Sequence, residues 1–107
     1  MAPPDRAVAT AVRALGSRIA VADLLGVPRS DIDEWLAGAT GPTATQQRVL
    51  ADLAVVTERL ARLREVPSGW LRSPNAALDG ATPEDVLVVD GAERVLAAIA
   101  DQLEPRG

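Results

Sequence analysis

The sequence predicts an all-α fold, and three observations carry that prediction. Nearly half of the residues are apolar, yet the apolar set is mostly Ala, Val and Leu, and Trp35 and Trp70 are the only aromatic residues. Alanine lets helix backbones approach closely, so such a core suits packed helices. No run alternates polar and apolar residues with the period of a strand. The short apolar run at 86–89 follows Pro83 and two acids and precedes a further helix start, so it reads as helix too. Helix starts and stops also recur along the chain, with Ser, Thr or Asp opening segments and Gly closing them. At 107 residues the chain is one domain or two tightly fused small ones. A chain of this size buries roughly two-thirds of its unfolded surface, enough for a real core.

Composition excludes several functions. Cysteine and histidine are absent. There is therefore no disulfide framework or thiol chemistry, and the commonest general base and metal ligand are missing. The net charge of −4 disfavours non-specific nucleic-acid binding by the protein as a whole. All basic residues are Arg, which reads as genome composition bias rather than function. The start MAPPDRAV has no apolar run long enough for a signal peptide or membrane span, so cytoplasmic residence is expected.

In order along the chain, residues 1–4 are expected to be disordered. Asp5 caps a first helix running to about Leu15, with Val8, Val12 and Leu15 on one face and Gly16 closing it. The segment 17–38 then fits a helix-turn-helix. Ala22 falls where the two helices cross, and Gly26 supplies the positive φ of a sharp turn. Ile32 and Trp35 form the inner face of the second helix. A plain αα-hairpin with a Gly turn is the alternative, but the small, Gly and apolar positions all fall in register. The exposed positions would be Arg18, Ile19, Arg29, Ser30, Asp31, Asp33 and Glu34. Arg18, Arg29 and Ser30 are the candidates for DNA contact. Three carboxylates near the reading helix would be repelled by a polyanion, so weak or no DNA binding is expected. Those acids equally fit a solvated helix N-terminus.

Thr43 or Thr45 opens a long helix to about Arg64. Val49, Leu53, Val56, Leu60 and Leu63 alternate steps of four and three, a seam of little more than two heptads, which Leu50, Ala54 and Ala61 widen. The seam serves either as a central scaffold or, in part, for self-association as a homodimer. Arg48, Asp52, Glu58, Arg59, Arg62 and Arg64 make the opposite, solvated face. Residues 65–69 hold turn formers and few apolar groups, and they place a boundary between 1–65, a helix-turn-helix and dimerisation module, and 66–107.

The second module reads as three short helices, with predicted N-caps at Ser73 before Pro74, at Thr82 before Pro83 with Asp85 in a variant capping box, and at Asp90 with Glu93. Gly80 and Gly91 punctuate the turns. Trp70 and Leu78 read as structural anchors, as does Trp35 in the first module; Val86, Val89, Val95, Leu96 and Ile99 read as core. Arg94 stands near a helix N-terminus, against the dipole, and requires a compensating carboxylate such as Asp90, Glu84 or one from a partner. The last helix ends at or before Pro105. Without His or Cys, and with the acids explained as caps, no catalytic constellation emerges and no enzyme, metal or cofactor is expected.

Trp70, Ser73-Pro74-Asn75, Leu78, Gly80, Pro83, Gly91 and Arg94-Val95 at these offsets resemble the toxin-binding domain of the Xre/MbcA/ParS antitoxins, and the helix-turn-helix is similar to an Xre-type module. The resemblance implies an antitoxin that binds and occludes a RES-domain toxin that degrades NAD; the alternative is an Xre-like DNA-binding transcriptional regulator, which could also repress its own operon. It implies toxin contacts from the exposed residues of the C-terminal module, for which Arg72, Asn75, Glu84, Arg94, Glu104 and Arg106 are the candidates, with support of the turn after Pro74 as the alternative role of Asn75. The C-terminal end would lie at the mouth of the toxin's NAD pocket.

Overall fold

The computed structural model describes residues 5–104. The described residues form seven α-helices and one 3₁₀ turn, with no strand among them. Helix α1 spans Arg6–Leu15, α2 Arg18–Leu25, α3 Arg29–Ala37 and α4 Ala44–Arg62. Helix α5 spans Pro67–Arg72, α6 Pro83–Asp90 and α7 Ala92–Gln102, and the 3₁₀ turn is Ala76–Leu78. Residues 1–4, expected to be disordered, and the candidate contact Arg106 lie outside the described residues.

The N-terminal elements form where their signals stand. The Asp5 carboxylate accepts from the Val8 amide at 3.0 Å, and Ser17 Oγ accepts from the Ala20 amide at 3.0 Å. Gly26 turns between α2 and α3 at φ 68°, in the left-handed region. Thr43 and Gln46 form a reciprocal capping box, so α4 starts after Thr43 rather than Thr45.

Helix α4 is the scaffold: α1, α5, α6 and α7 all pack on it. Val49, Leu50, Leu53, Val56 and Leu60 are buried in one cluster that also holds Val8 of α1, Leu87 of α6 and Ile99 of α7. Most of the apolar stripe of α4 is therefore used as the central scaffold, while Ala54 and Ala61, which widen it, stay exposed. The single cluster also runs across the predicted 65/66 boundary, with Leu71, Val86 and Val95 in it.

That boundary contains a helix. Arg64 ends the α4 segment at φ 59°, and Pro67 opens α5 with its φ already suited to the first turn. Gly69 inside α5 costs about 1 kcal/mol relative to alanine. Burial of Leu71, 1% exposed, contributes roughly 1.5–3 kcal/mol and outweighs it. Trp70 beside it is only half-buried against the core, so the anchor of this helix is Leu71 rather than Trp70.

Ser73 is not an N-cap. Pro74 holds it extended, and its hydroxyl donates back to the Gly69 carbonyl at 2.9 Å, closing the end of α5. Asn75 takes the capping role, and the first of the three predicted helices is only the 3₁₀ turn. Thr82 does cap α6, accepting from the Asp85 amide at 3.2 Å. Asp90 does not cap α7. Gly91, at φ 93° and ψ −172°, both ends α6 and begins α7, without a side-chain cap.

Candidate interaction surface

Asn75 organises the C-terminal surface from beneath. It is 4% exposed, its Oδ1 accepts from the Ala77 amide and its Nδ2 donates to Gln102 Oε1, both at 2.9 Å. Its amide also donates to the Ala81 carbonyl, and its carbonyl accepts from Leu78 and Gly80. Every polar group of Asn75 is thus satisfied within the chain, which corrects a role as partner contact in favour of the turn-supporting alternative: it staples the 3₁₀ turn to the end of α7. Leu78, 3% exposed, drives the same turn into the core.

The consequence is a shallow groove of about 330 Å³ between the turn and α7, lined by Ala77, Leu78, Arg94, Ala97, Ala98 and Asp101. Of the lining alanines, Ala77 and Ala97 are exposed. Alanines on a fixed helix let another backbone come close and lose no rotamer entropy on contact. Arg94 lies on the rim, half-exposed, its Nη1 donating to Asp90 Oδ2 at 2.9 Å. Asp90 is therefore the compensating carboxylate that a cation near the start of α7 requires.

Arg72 and Glu84 lie elsewhere. The Arg72 guanidinium is 3.6 Å from Glu84 of α6 and 3.7 Å from Asp23 of α2, and so joins three helices. Burial raises the Glu84 carboxyl above its usual range; Arg72 opposes this, while Asp85 and Asp23 add to the rise. A carboxyl raised in the folded state contributes most stability when protonated, and that contribution is lost as pH rises through its folded pKa. Glu84→Gln should accordingly show a higher urea midpoint than wild type at pH 7, and the gap should close as pH falls into the carboxylate range. A gap that widens on acidification would refute this account of Glu84.

Glu104 is held too. Its carboxylate pairs with Arg59 of α4, and its amide donates to the Ile99 carbonyl at 3.2 Å. The segment up to residue 104 is folded back on α4 rather than extended away from it.

In the helix-turn-helix, Arg18, Arg29 and Ser30 are exposed as expected, and Ile32 and Trp35 are buried. Both arginines converge on Asp33, at 2.7 Å from Arg18 and 3.7 Å from Arg29. The Arg29–Asp33 spacing of four residues is legible in the sequence, but the Arg18 contact depends on how α2 crosses α3. The alanine groove escapes a reading of the sequence because a surface alanine gives no signal distinct from helix propensity. Among the described residues no group of His, Cys, Asp or Glu is placed to hold a metal ion, and no helix is long and apolar enough to cross a membrane.

Comparisons with known proteins agree on one family. Residues 67–101 match the family described as the antitoxin Xre/MbcA/ParS C-terminal toxin-binding domain. The chain is 35% identical over 82 residues to the mycobacterial cidal antitoxin MbcA of Mycobacterium bovis and of Mycobacterium tuberculosis, covering 74% of this chain and 72% of the relative. It also superposes on a chain of the crystal structure of the M. tuberculosis MbcT–MbcA toxin–antitoxin complex with a TM-score of 0.73 at 29% identity, covering 92% of this chain and 90% of that one. Whole-length structural agreement, identity through most of both sequences and the match at 67–101 lead to one conclusion: the chain belongs to the Xre/MbcA/ParS antitoxin family.

Proposed function

We propose that this protein neutralises a RES-domain, NAD-degrading toxin in the cytoplasm by docking on it through the groove between the Ala76–Leu78 turn and α7. The observation that carries the reading is that this alanine-lined groove, with Arg94 on its rim, falls within the residues matched to the toxin-binding family. A stable inhibitor requires a surface already ordered before contact. Asn75, Leu78 and Gly91 supply that order here. Arg94 can exchange Asp90 for a partner carboxylate, keeping its charge paired throughout. Arg72, Glu84 and Glu104 are engaged in ion pairs within the fold. The protein works by binding and occlusion rather than by chemistry of its own. A homodimer of this chain would have to use what α4 leaves exposed, Ala51, Ala54, Val55 and Ala61.

The test is a purified RES-type toxin from the neighbouring reading frame, assayed for NAD loss with and without this protein. Equimolar antitoxin should abolish the loss. Deleting residues 105–107, which include Arg106 and leave the Glu104–Arg59 pair in place, should weaken inhibition more than binding. Undiminished NAD loss with full-length protein bound would remove the occlusion reading. Full inhibition by the truncated protein at equal occupancy would assign occlusion to the helical body instead of the tail.

A further inference from the structure

The exposed face of α2 and α3 plays no part in the proposed toxin docking. Arg18 is the first residue of α2 and Arg29 the first of α3. In a helix-turn-helix these places meet the phosphate backbone and the edge of the major groove. Exposed Ile19 and Ser17 complete a hollow between the two guanidinium groups. A phosphate-binding surface has its cations ready for an incoming anion. Here an anion is already present. Asp33 Oδ1 accepts from Arg18 Nη1 at 2.7 Å, and Asp33 Oδ2 lies 3.7 Å from Arg29 Nε. The two oxygens of one carboxylate thus engage arginines from two different helices, as the oxygens of a phosphate would.

We infer that Asp33 stands in for a nucleic-acid phosphate within the chain, and is the residue that closes this face to duplex DNA. A duplex approaching the face must displace Asp33 from both arginines and then leave its carboxylate facing a polyanion. Arg18 and Arg29 against Asp31, Asp33 and Glu34 leave the face with an excess of one negative charge. Neutralising Asp33 removes that excess and also releases both cations. Neutralising Glu34, which is exposed and has no ion pair among those seen, changes the net charge equally but releases neither. An exposed ion pair contributes little to stability, so the fold survives the change.

The experiment titrates fluorescently labelled duplexes, one of random sequence and one from upstream of the gene, with full-length wild type, Asp33→Asn, Glu34→Gln and the Arg18→Ala/Asp33→Asn double variant. Circular dichroism checks that each is folded, and the salt concentration is varied. Asp33→Asn should bind about tenfold tighter than wild type, with the slope of log affinity against log salt steeper by about 2, as two added phosphate contacts require. Glu34→Gln should change affinity by no more than about twofold by the same reasoning, because it opens no phosphate contact. Arg18→Ala should remove most of the gain. The inference is overturned if Asp33→Asn binds no better than wild type, if Asp33→Asn and Glu34→Gln gain equally, or if wild type already binds as tightly as Asp33→Asn.

Discussion

Replacing Gly91 with alanine is expected to destabilise the fold by about 3 kcal/mol, because φ 93° with ψ −172° is a region that essentially only glycine occupies. Gly91 is a single-residue hinge between α6 and α7, and it lies against α4. An added Cβ would meet Arg48 Nη1 at 3.4 Å and Asp52 Oδ2 at 3.5 Å. Those distances are ordinary contact, so the expected loss comes from the backbone and not from a clash. The same Arg48 donates to the Val88 carbonyl at 3.0 Å, tying the end of α6 to α4. A shift of the hinge would therefore disturb the direction of α7 and the groove it lines. For a domain of this size the melting temperature should fall by about 10–20 °C. Gly69→Ala is the control. It lies inside α5 with nothing near its missing Cβ, and it should gain about 0.5–1 kcal/mol. A Gly91→Ala protein that melts within two degrees of wild type would show that this hinge is not as described.

Ala97→Arg should reduce affinity for the toxin by about 100-fold or more, the scale of a central interface position made to clash. Ala97 lines the groove one helical turn from Arg94. Arginine there fills the groove proposed for the toxin and sets a second cation beside the first. Arginine has nearly the helix propensity of alanine and the site is exposed, so stability should move by no more than about 0.5 kcal/mol. Ala51→Arg, on exposed α4 away from the groove, should leave affinity nearly unchanged. Calorimetric titration of each variant with the toxin measures the difference. Ala97→Arg binding within about threefold of wild type would place the interface elsewhere.

Local chemistry makes much of this protein legible in its sequence. Asp5, Ser17, Thr43 and Thr82 cap helices because a side-chain oxygen three residues ahead of an orphan amide acts over a few ångströms of its own chain. Gly16 and Gly26 end helices for an equally local reason, the left-handed turn each must make. The all-α class and the antitoxin resemblance follow from such signals at fixed offsets.

The inferences that fail are those that need a neighbour from elsewhere in the chain. Residues 65–69 carry the composition of a linker, and only the pocket that receives Leu71 turns part of them into helix. Ser73 and Asn75 are both plausible caps two residues apart. Docking against Gln102, 27 residues away in sequence, decides for Asn75 and buries it. The stripe on α4 could have faced another molecule equally well by its periodicity. The presence of α1, α6 and α7 over it turns it inward. The same holds for the site. Arg94 and Asp90 are four residues apart, close enough for the sequence to offer Asp90 among the candidate partners, and the Gly91 joint between α6 and α7 brings them together. The groove beside them, and the joint hold of Asp33 on Arg18 and Arg29, exist only where separate helices cross.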